Sequence, residues 1–301
     1  MFVRGFSKGL VRPFGVRPTS DGGFYVTDLA ANMLSRVSSN LECIWSINVS
    51  PSSRGAHSIA IADDGKILVT EFYDKRLTAF SHDGRKIGTF AKASVERPWL
   101  LSGPAGVERF PDGCVIVADS GSHSLQRFAP DGRFDAWHDG RSWKVNGAPT
   151  GKASPDGFDS VHACIGIPDG RLLVADTWNH CVRFFSSNGR LQRVLKFSAL
   201  NSSAEMFVAP VAIALYGQGF VVSEYGHPRL QYFDFDGCFR GWLGVAADDI
   251  SQPAGWREDP ATPVPSKFLG GFNHPYDVKS FGEGLIVADT DNARVQCLSF
   301  K

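Results

Sequence analysis

A chain of 301 residues, 43% hydrophobic and 21% charged, has the composition of an ordinary globular protein with enough apolar material for a large core. Its 31 basic residues balance 31 acidic ones, so no long-range field draws in phosphate backbones or anionic lipid, and nucleic acid is not expected as a partner. No uncharged apolar stretch is long enough to cross a bilayer and the first residues, with Arg4 and Lys8, lack an apolar run; the expectation is a cytoplasmic protein with no membrane partner.

Length alone suggests two domains, but internal repetition overrides that prior. The leading segment Phe2-Val3-Arg4-Gly5-Phe6 stands before the first copy of a motif that then recurs to the end of the chain. Each copy opens with a short apolar strand, turns at Asp or Gly, runs through a β-branched strand ending in an acid, and continues through a polar loop into a third strand. The second strands carry the pattern most plainly: Phe24-Tyr25-Val26-Thr27-Asp28, Ile67-Leu68-Val69-Thr70-Glu71, Val115-Ile116-Val117-Ala118-Asp119, Leu172-Leu173-Val174-Ala175-Asp176, Phe220-Val221-Val222-Ser223-Glu224 and Leu285-Ile286-Val287-Ala288-Asp289. Short apolar runs bounded by turns such as Asp64-Gly65, Asp112-Gly113 and Asp169-Gly170 are strands rather than helices. A second turn, as in Asp83-Gly84, Asp131-Gly132 and Asn188-Gly189, leads to a fourth strand.

Four antiparallel strands per copy make a propeller blade. The sequence therefore predicts an all-β protein, a six-bladed β-propeller occupying residues 1–301 as a single domain. The sixth copy stops at Lys301, after its third strand, so the leading segment is predicted to supply the missing outer strand. Pairing both ends in one blade closes the ring and removes an exposed sheet edge.

Pro13-Phe14-Gly15-Val16, Pro104-Ala105-Gly106-Val107 and Asp289-Thr290-Asp291-Asn292-Ala293-Arg294-Val295 resemble the NHL-repeat family. That family's repeat has Pro-x-Gly-Val in the first strand, Val-x-Asp ending the second and Asn-x-Arg-Val in the third. The resemblance runs over nearly the whole chain and implies the fold, while saying little about activity.

In such a ring the first strands line the central channel, and the position after the Pro slot reads Phe14, His57, Ala105, His162, Val211 and Tyr276. His57, His162 and Tyr276 fall in alternate blades, so they are expected to converge on the axis. His274 precedes Pro275 and is expected at the same mouth. These four are the candidate catalytic residues. Imidazoles converging from separate strands suit Zn²⁺, with a position left open for water or substrate. The same histidines also suit metal-free catalysis, with His57 or His162 as general base and Tyr276 as acid, or a polar channel mouth in which they are merely hydrogen-bonded, and the sequence leaves these readings open.

A narrower resemblance is to the peptidyl-hydroxyglycine lyase family, also six-bladed propellers of this type. That family holds zinc with three histidines at this slot in alternate blades, and an Asp after the last of them lies near a structural calcium. His57 and His162 match, Tyr276 stands in place of the third histidine, and Asp277 matches the calcium-site acid. The resemblance implies a divalent metal, zinc at the histidines and calcium near Asp277, with His57, His162, His274 and Asp277 as candidate ligands. The loops that give that family its catalytic Arg and Tyr read Asp28-Leu29-Ala30 and Asp119-Ser120-Gly121 here, so peptide amidation itself is not expected.

Long connections at Arg97 to Gly103, Asp139 to Asp159 and Asp248 to Asn273 carry Trp99, Trp143, Trp256 and Arg257. Long loops in a compact repeat protein build lids and binding surfaces. Together with Phe14, Phe72, Tyr73, Trp178 and Tyr225 they are predicted to wall an aromatic substrate pocket. The once-per-blade acids read as structural caps. The six scattered cysteines read as buried free thiols. The expected function is metal-assisted elimination or hydrolysis of a small-molecule or peptide-like substrate; the alternative is a non-catalytic scaffold that binds a protein partner.

Overall fold

The computed structural model describes residues 1–50, 55–91, 101–145, 147–149, 151–154, 156–196, 207–247, 255–258 and 263–300. Six antiparallel sheets stand around an axis. Blade 1 consists of Pro13–Pro18, Phe24–Asp28, Met33–Val37 and Cys43–Asn48. Blades 2 to 5 repeat that order from Ala56–Ile61, Pro104–Arg109, Val161–Gly166 and Pro210–Tyr216, and blade 6 starts at Pro275–Phe281. The outer strand of blade 6 is Phe2–Phe6, which pairs antiparallel with Arg294–Ser299 in the register Phe2 to Ser299 and Phe6 to Val295. The predicted closure by the two ends of the chain is thus what the protein forms.

The core is a set of wedges between neighbouring blades. Val16, Phe24 and Val26 of blade 1 pack against Ile286, Ala288 and Val295 of blade 6, with Phe6 of the closing strand beside them. The same pattern joins blade 1 to 2 through Tyr25, Leu34, Ile59 and Val69, and each later pair in turn. Both faces of each second strand are covered, and for this reason those strands read as continuous apolar runs rather than alternating ones.

A girdle of hydroxyls stitches each blade to the next. Thr27 donates to the His57 carbonyl, Thr70 to Ala105, Ser120 to Val161, Thr177 to Pro210, Ser223 to Tyr276 and Thr290 to Pro13, at 2.6 to 3.5 Å. The acids that end the second strands hold the connection arriving from the previous blade. Asp28 accepts from the amides of Val11 and Arg12, Asp119 from Ser102 and Gly103, Asp176 from Asp159, Glu224 from Val208 and Asp289 from Asn273. Side chains complete the set, as Asn179 does for Asp176, Arg229 for Glu224 and Asn292 for Asp289, so these buried carboxylates are satisfied structural groups, as their recurrence suggested.

Every first strand begins with a β-bulge. The register shifts between Pro13 and Val16, Ala56 and Ile59, Pro104 and Gly106, Val161 and Ala163, Pro210 and Ala212, and Pro275 and Asp277. The slot residue of each blade is left out of the ladder, together with Gly15 in blade 1 and Ser58 in blade 2, and a bulge re-aims such a side chain. The glycine of Pro-x-Gly-Val has its reason here as well. A Cβ on Gly15 would lie 2.4 Å from the His57 carbonyl oxygen, and one on Gly106 would lie 2.1 Å from that of His162. Only glycine allows the strands bearing the two histidines to come this close.

Cys114, Cys164, Cys181 and Cys297 are buried free thiols, whereas Cys43 and Cys238 are exposed, a departure from the expected burial. Both sit in or just before an outer strand, which has no blade beyond it to cover it.

Candidate functional site

The bulges bring four side chains of the slot into contact at the axis. The Phe14 ring stacks on Tyr276 with centroids 4.0 Å apart and meets His57 edge-on at 4.9 Å. His57 lies 5.1 Å from the Tyr276 ring and 6.3 Å from His162, and His162 lies 6.0 Å from Tyr276. The expected convergence of His57, His162 and Tyr276 is therefore observed. Ala105 and Val211 fill the remaining positions of the ring.

Hydrogen bonding fixes what each group presents. His162 Nδ1 is 2.9 Å from the Ser160 carbonyl oxygen, 2.8 Å from Thr177 Oγ1 and 3.3 Å from Ser120 Oγ. Both hydroxyls give their protons to backbone carbonyls, Thr177 to Pro210 and Ser120 to Val161. Nδ1 thus faces three acceptors and carries the ring proton, which leaves the Nε2 lone pair free. Tyr276 Oη lies 3.3 Å from His57 Nε2. Burial lowers His57 to about 3, helped by its neighbour His162 and opposed by a hydrogen bond to the Ala105 backbone. Burial lowers His162 to about 4, the Ser160 carbonyl opposing. Burial also raises Tyr276 well above an ordinary phenol, with the nearby Arg12 charge pulling the other way. At neutral pH the trio is two neutral imidazoles and a protonated phenol.

Above this floor opens a basin of about 360 Å³. Phe72, Tyr73, Trp178, Tyr225 and Leu29 wall it, and Arg12 stands at its edge. Tyr73, Trp178 and Tyr225 are 60%, 52% and 37% exposed, unusual for such large rings unless the face binds something. Below the floor the channel narrows to about 20 Å³, room for roughly one water. Ion pairs plug it: Arg17 with Glu108 at 2.7 Å and Lys279 with Asp277 at 2.9 Å.

Several expected site residues lie elsewhere. His274 sits at the rim with a left-handed backbone (φ 51°), its ring stacked on Tyr225 and its Nδ1 2.5 Å from Asp291. It does not reach the His57 and His162 pair. Trp143 pairs in a short fifth strand of blade 3 and packs edge-on against His138 over Gly189, beside the opposite face. Trp256 is held against Phe300, Tyr216 and Tyr232 by ring contacts, and Arg257 lies against the outer strand of blade 5, its guanidinium over Trp242. These three pin connections to blades and do not line the basin, a correction to the expected pocket. Trp99 falls outside the described residues. His123 and His180 accept the amides of Ser160 and Ala209 from the following blade, so they too are structural.

The residues do not fit the metals suggested by the lyase resemblance. Among the described residues no three His, Cys, Asp or Glu side chains gather as ligands. Asp277 faces the channel, not the basin; Oδ1 takes Lys279 and Oδ2 takes the Val16 amide, so an ammonium already neutralises the carboxylate.

Arg12, Thr177 and Ser120 were not singled out from the sequence. A signal for Arg12 existed: it directly precedes Pro13, just as His274 directly precedes Pro275.

Residues 163–185 match the NHL repeat. Among curated proteins none matches the chain. Solved structures resemble it over nearly its whole length. Virginiamycin B lyase from Staphylococcus aureus is 13% identical with a TM-score of 0.64, covering 100% of this chain and 99% of that one. A streptogramin B lyase is 14% identical at 0.64, covering 98% and 96%. A gluconolactonase from Xanthomonas campestris is 13% identical at 0.66, covering 98% and 88%. At such identities the likeness establishes the six-bladed propeller and not a shared activity.

Proposed function

We propose that the protein is an enzyme that eliminates from, or hydrolyses, a small-molecule substrate in the basin by acid–base catalysis without a metal ion. The observation that carries this reading is the fixed tautomer of His162, whose unprotonated Nε2 belongs to the floor of an exposed aromatic basin beside a neutral phenol. His162 is the general base: Nε2 takes a proton from a carbon acid or from an attacking water. Tyr276 is the acid, giving its proton to the departing oxygen. Tyr276 Oη donates to His57 Nε2, and the hydroxyl turns from that acceptor to the departing oxygen as its proton is transferred. Ser120 and Thr177 keep the His162 ring in the required tautomer.

The propellers of like fold support this reading by their names, since they include lyases and a gluconolactonase, and one is described as a catalytically inactive histidine-to-alanine variant of the S. aureus lyase with quinupristin. The test is turnover of gluconolactones and of streptogramin B compounds including quinupristin by wild type, His162→Gln and Tyr276→Phe, each before and after dialysis against a chelator. Turnover should fall roughly 10²- to 10⁴-fold in either variant and survive the chelator. Turnover that persists in both variants, or vanishes with the chelator, refutes the proposal, the latter in favour of zinc at the histidines.

A further inference from the structure

Of the side chains that line the basin, one carries a fixed charge. Arg12 stands at its edge, and among the described residues no aspartate or glutamate lines the space. The guanidinium lies 5.7 Å from the centroid of the Phe14 ring, which in turn lies 4.9 Å from His57. Two steps, each about the width of an aromatic ring, therefore separate the cation from the catalytic floor. Its Nη2 donates to Asp291 at 3.1 Å in a pair open to solvent, 40% and 30% exposed. Asp291 is shared, because His274 Nδ1 holds its other oxygen. Nε and Nη1 of Arg12 make no other hydrogen bond among the described residues, so the fork keeps donors to offer.

The walls complement that charge. Phe72, Tyr73, Trp178 and Tyr225 supply apolar faces, and a volume of about 360 Å³ limits the occupant to a compact molecule. A half-paired cation on an apolar rim recognises a ligand with a flat or cyclic apolar body and one anionic group. Of the anions, a carboxylate matches the planar fork and carries the single charge that one half-paired arginine can balance.

Building on the reading of the basin as a substrate site, we propose that Arg12 anchors a substrate carboxylate, so that the enzyme takes compact aromatic or cyclic apolar carboxylates. The carboxylate bonds Arg12 at the rim, the apolar body lies along Phe14, and the reacting bond reaches His162 and Tyr276 at the floor. Asp291 tunes the anchor by occupying part of the fork until the ligand arrives.

The experiment measures binding, not turnover. Isothermal titration compares 3-phenylpropionate with its neutral analogue 3-phenylpropanamide. Wild type should bind the acid about tenfold more tightly than the amide, the size expected of a charge-assisted contact partly screened by solvent. Arg12→Gln should bring the two to equal affinity, and Arg12→Lys, which keeps the charge without the fork, should retain part of the preference. Asp291→Asn should widen it, an effect that a purely structural role for the Arg12 and Asp291 pair would not produce. His162→Gln should keep the preference while losing turnover, so the anchor and the catalytic assignment fail separately. Equal affinity in wild type, no binding of either probe, or a preference that survives Arg12→Gln overturns the inference.

Discussion

Acid should unfold this protein through its own axis. His57 is 6% exposed, packed among Phe14, Phe72 and Tyr276, and its folded value near 3 lies below the ordinary 6.5 of an exposed imidazole. Between those values the unfolded chain binds a proton that the folded chain refuses, so stability falls as pH drops below 6.5 and is unaffected above it. At pH 5 the deficit spans about one and a half pH units, or about 2 kcal/mol from His57 alone. His162, lowered to about 4, adds to it in the same direction, moderated by its partial exposure to the basin. Urea unfolding at pH 7.5 and pH 5.0, in wild type and in His57→Phe, isolates the His57 share, since phenylalanine keeps the ring and removes the titration. The wild type should lose about 2 kcal/mol more than the variant between the two pH values. An equal loss in both proteins would mean that His57 titrates normally and that the floor of the site is wetter than its packing indicates.

The Asp277 and Lys279 pair is 8% and 11% exposed, so Lys279→Met should cost about 3 kcal/mol by stranding the carboxylate, and adding Asp277→Asn should restore part of it, as read by denaturant midpoints. Trp178→Ala should weaken binding of any basin ligand severalfold, whereas Trp143→Ala should leave binding unchanged and lower the melting temperature, because Trp143 packs on the turn at Gly189 and not in the basin. Removing residues 1–6 should bare the Arg294–Ser299 edge and shift the protein to oligomers or aggregates by light scattering, the behaviour expected of an unpaired strand; a monodisperse truncated monomer would contradict the closure.

The fold was readable because each blade repeats the same physical demands. Six second strands are buried on both faces, so each must be a continuous apolar run, and each ends in an acid, five of which cap incoming amides among the described residues. The unfilled outer strand of the last blade and the unassigned Phe2–Phe6 segment fit no other arrangement without an open edge. The long connections were less readable. Trp143 and Trp256 sit in segments with no repeat to align them, and an aromatic residue there serves equally well to wall a pocket or to staple a loop. The packing partners that decide this, the turn at Gly189 for one and Tyr216, Tyr232 and Phe300 for the other, are distant in sequence.

The site was half legible for a related reason. A residue in a bulge pairs with nothing across the ladder, so the six slot positions are the places where the repeat tolerates change, and Phe14, His57, Ala105, His162, Val211 and Tyr276 differ from one another while their neighbours recur. In-phase spacing could therefore locate the floor. It could not tell which neighbours turn inward, because His274 and Arg12 occupy equivalent places before a proline and meet different ends: His274 lies over Tyr225, while Arg12 reaches the basin. The separation between a scaffold built from recurring residues and a floor built from unpaired ones explains how propellers about 13% identical keep one architecture while differing in what they act upon. On the proposed reading, the bulges and the residues just before them are where substitutions should alter substrate choice without unfolding the ring.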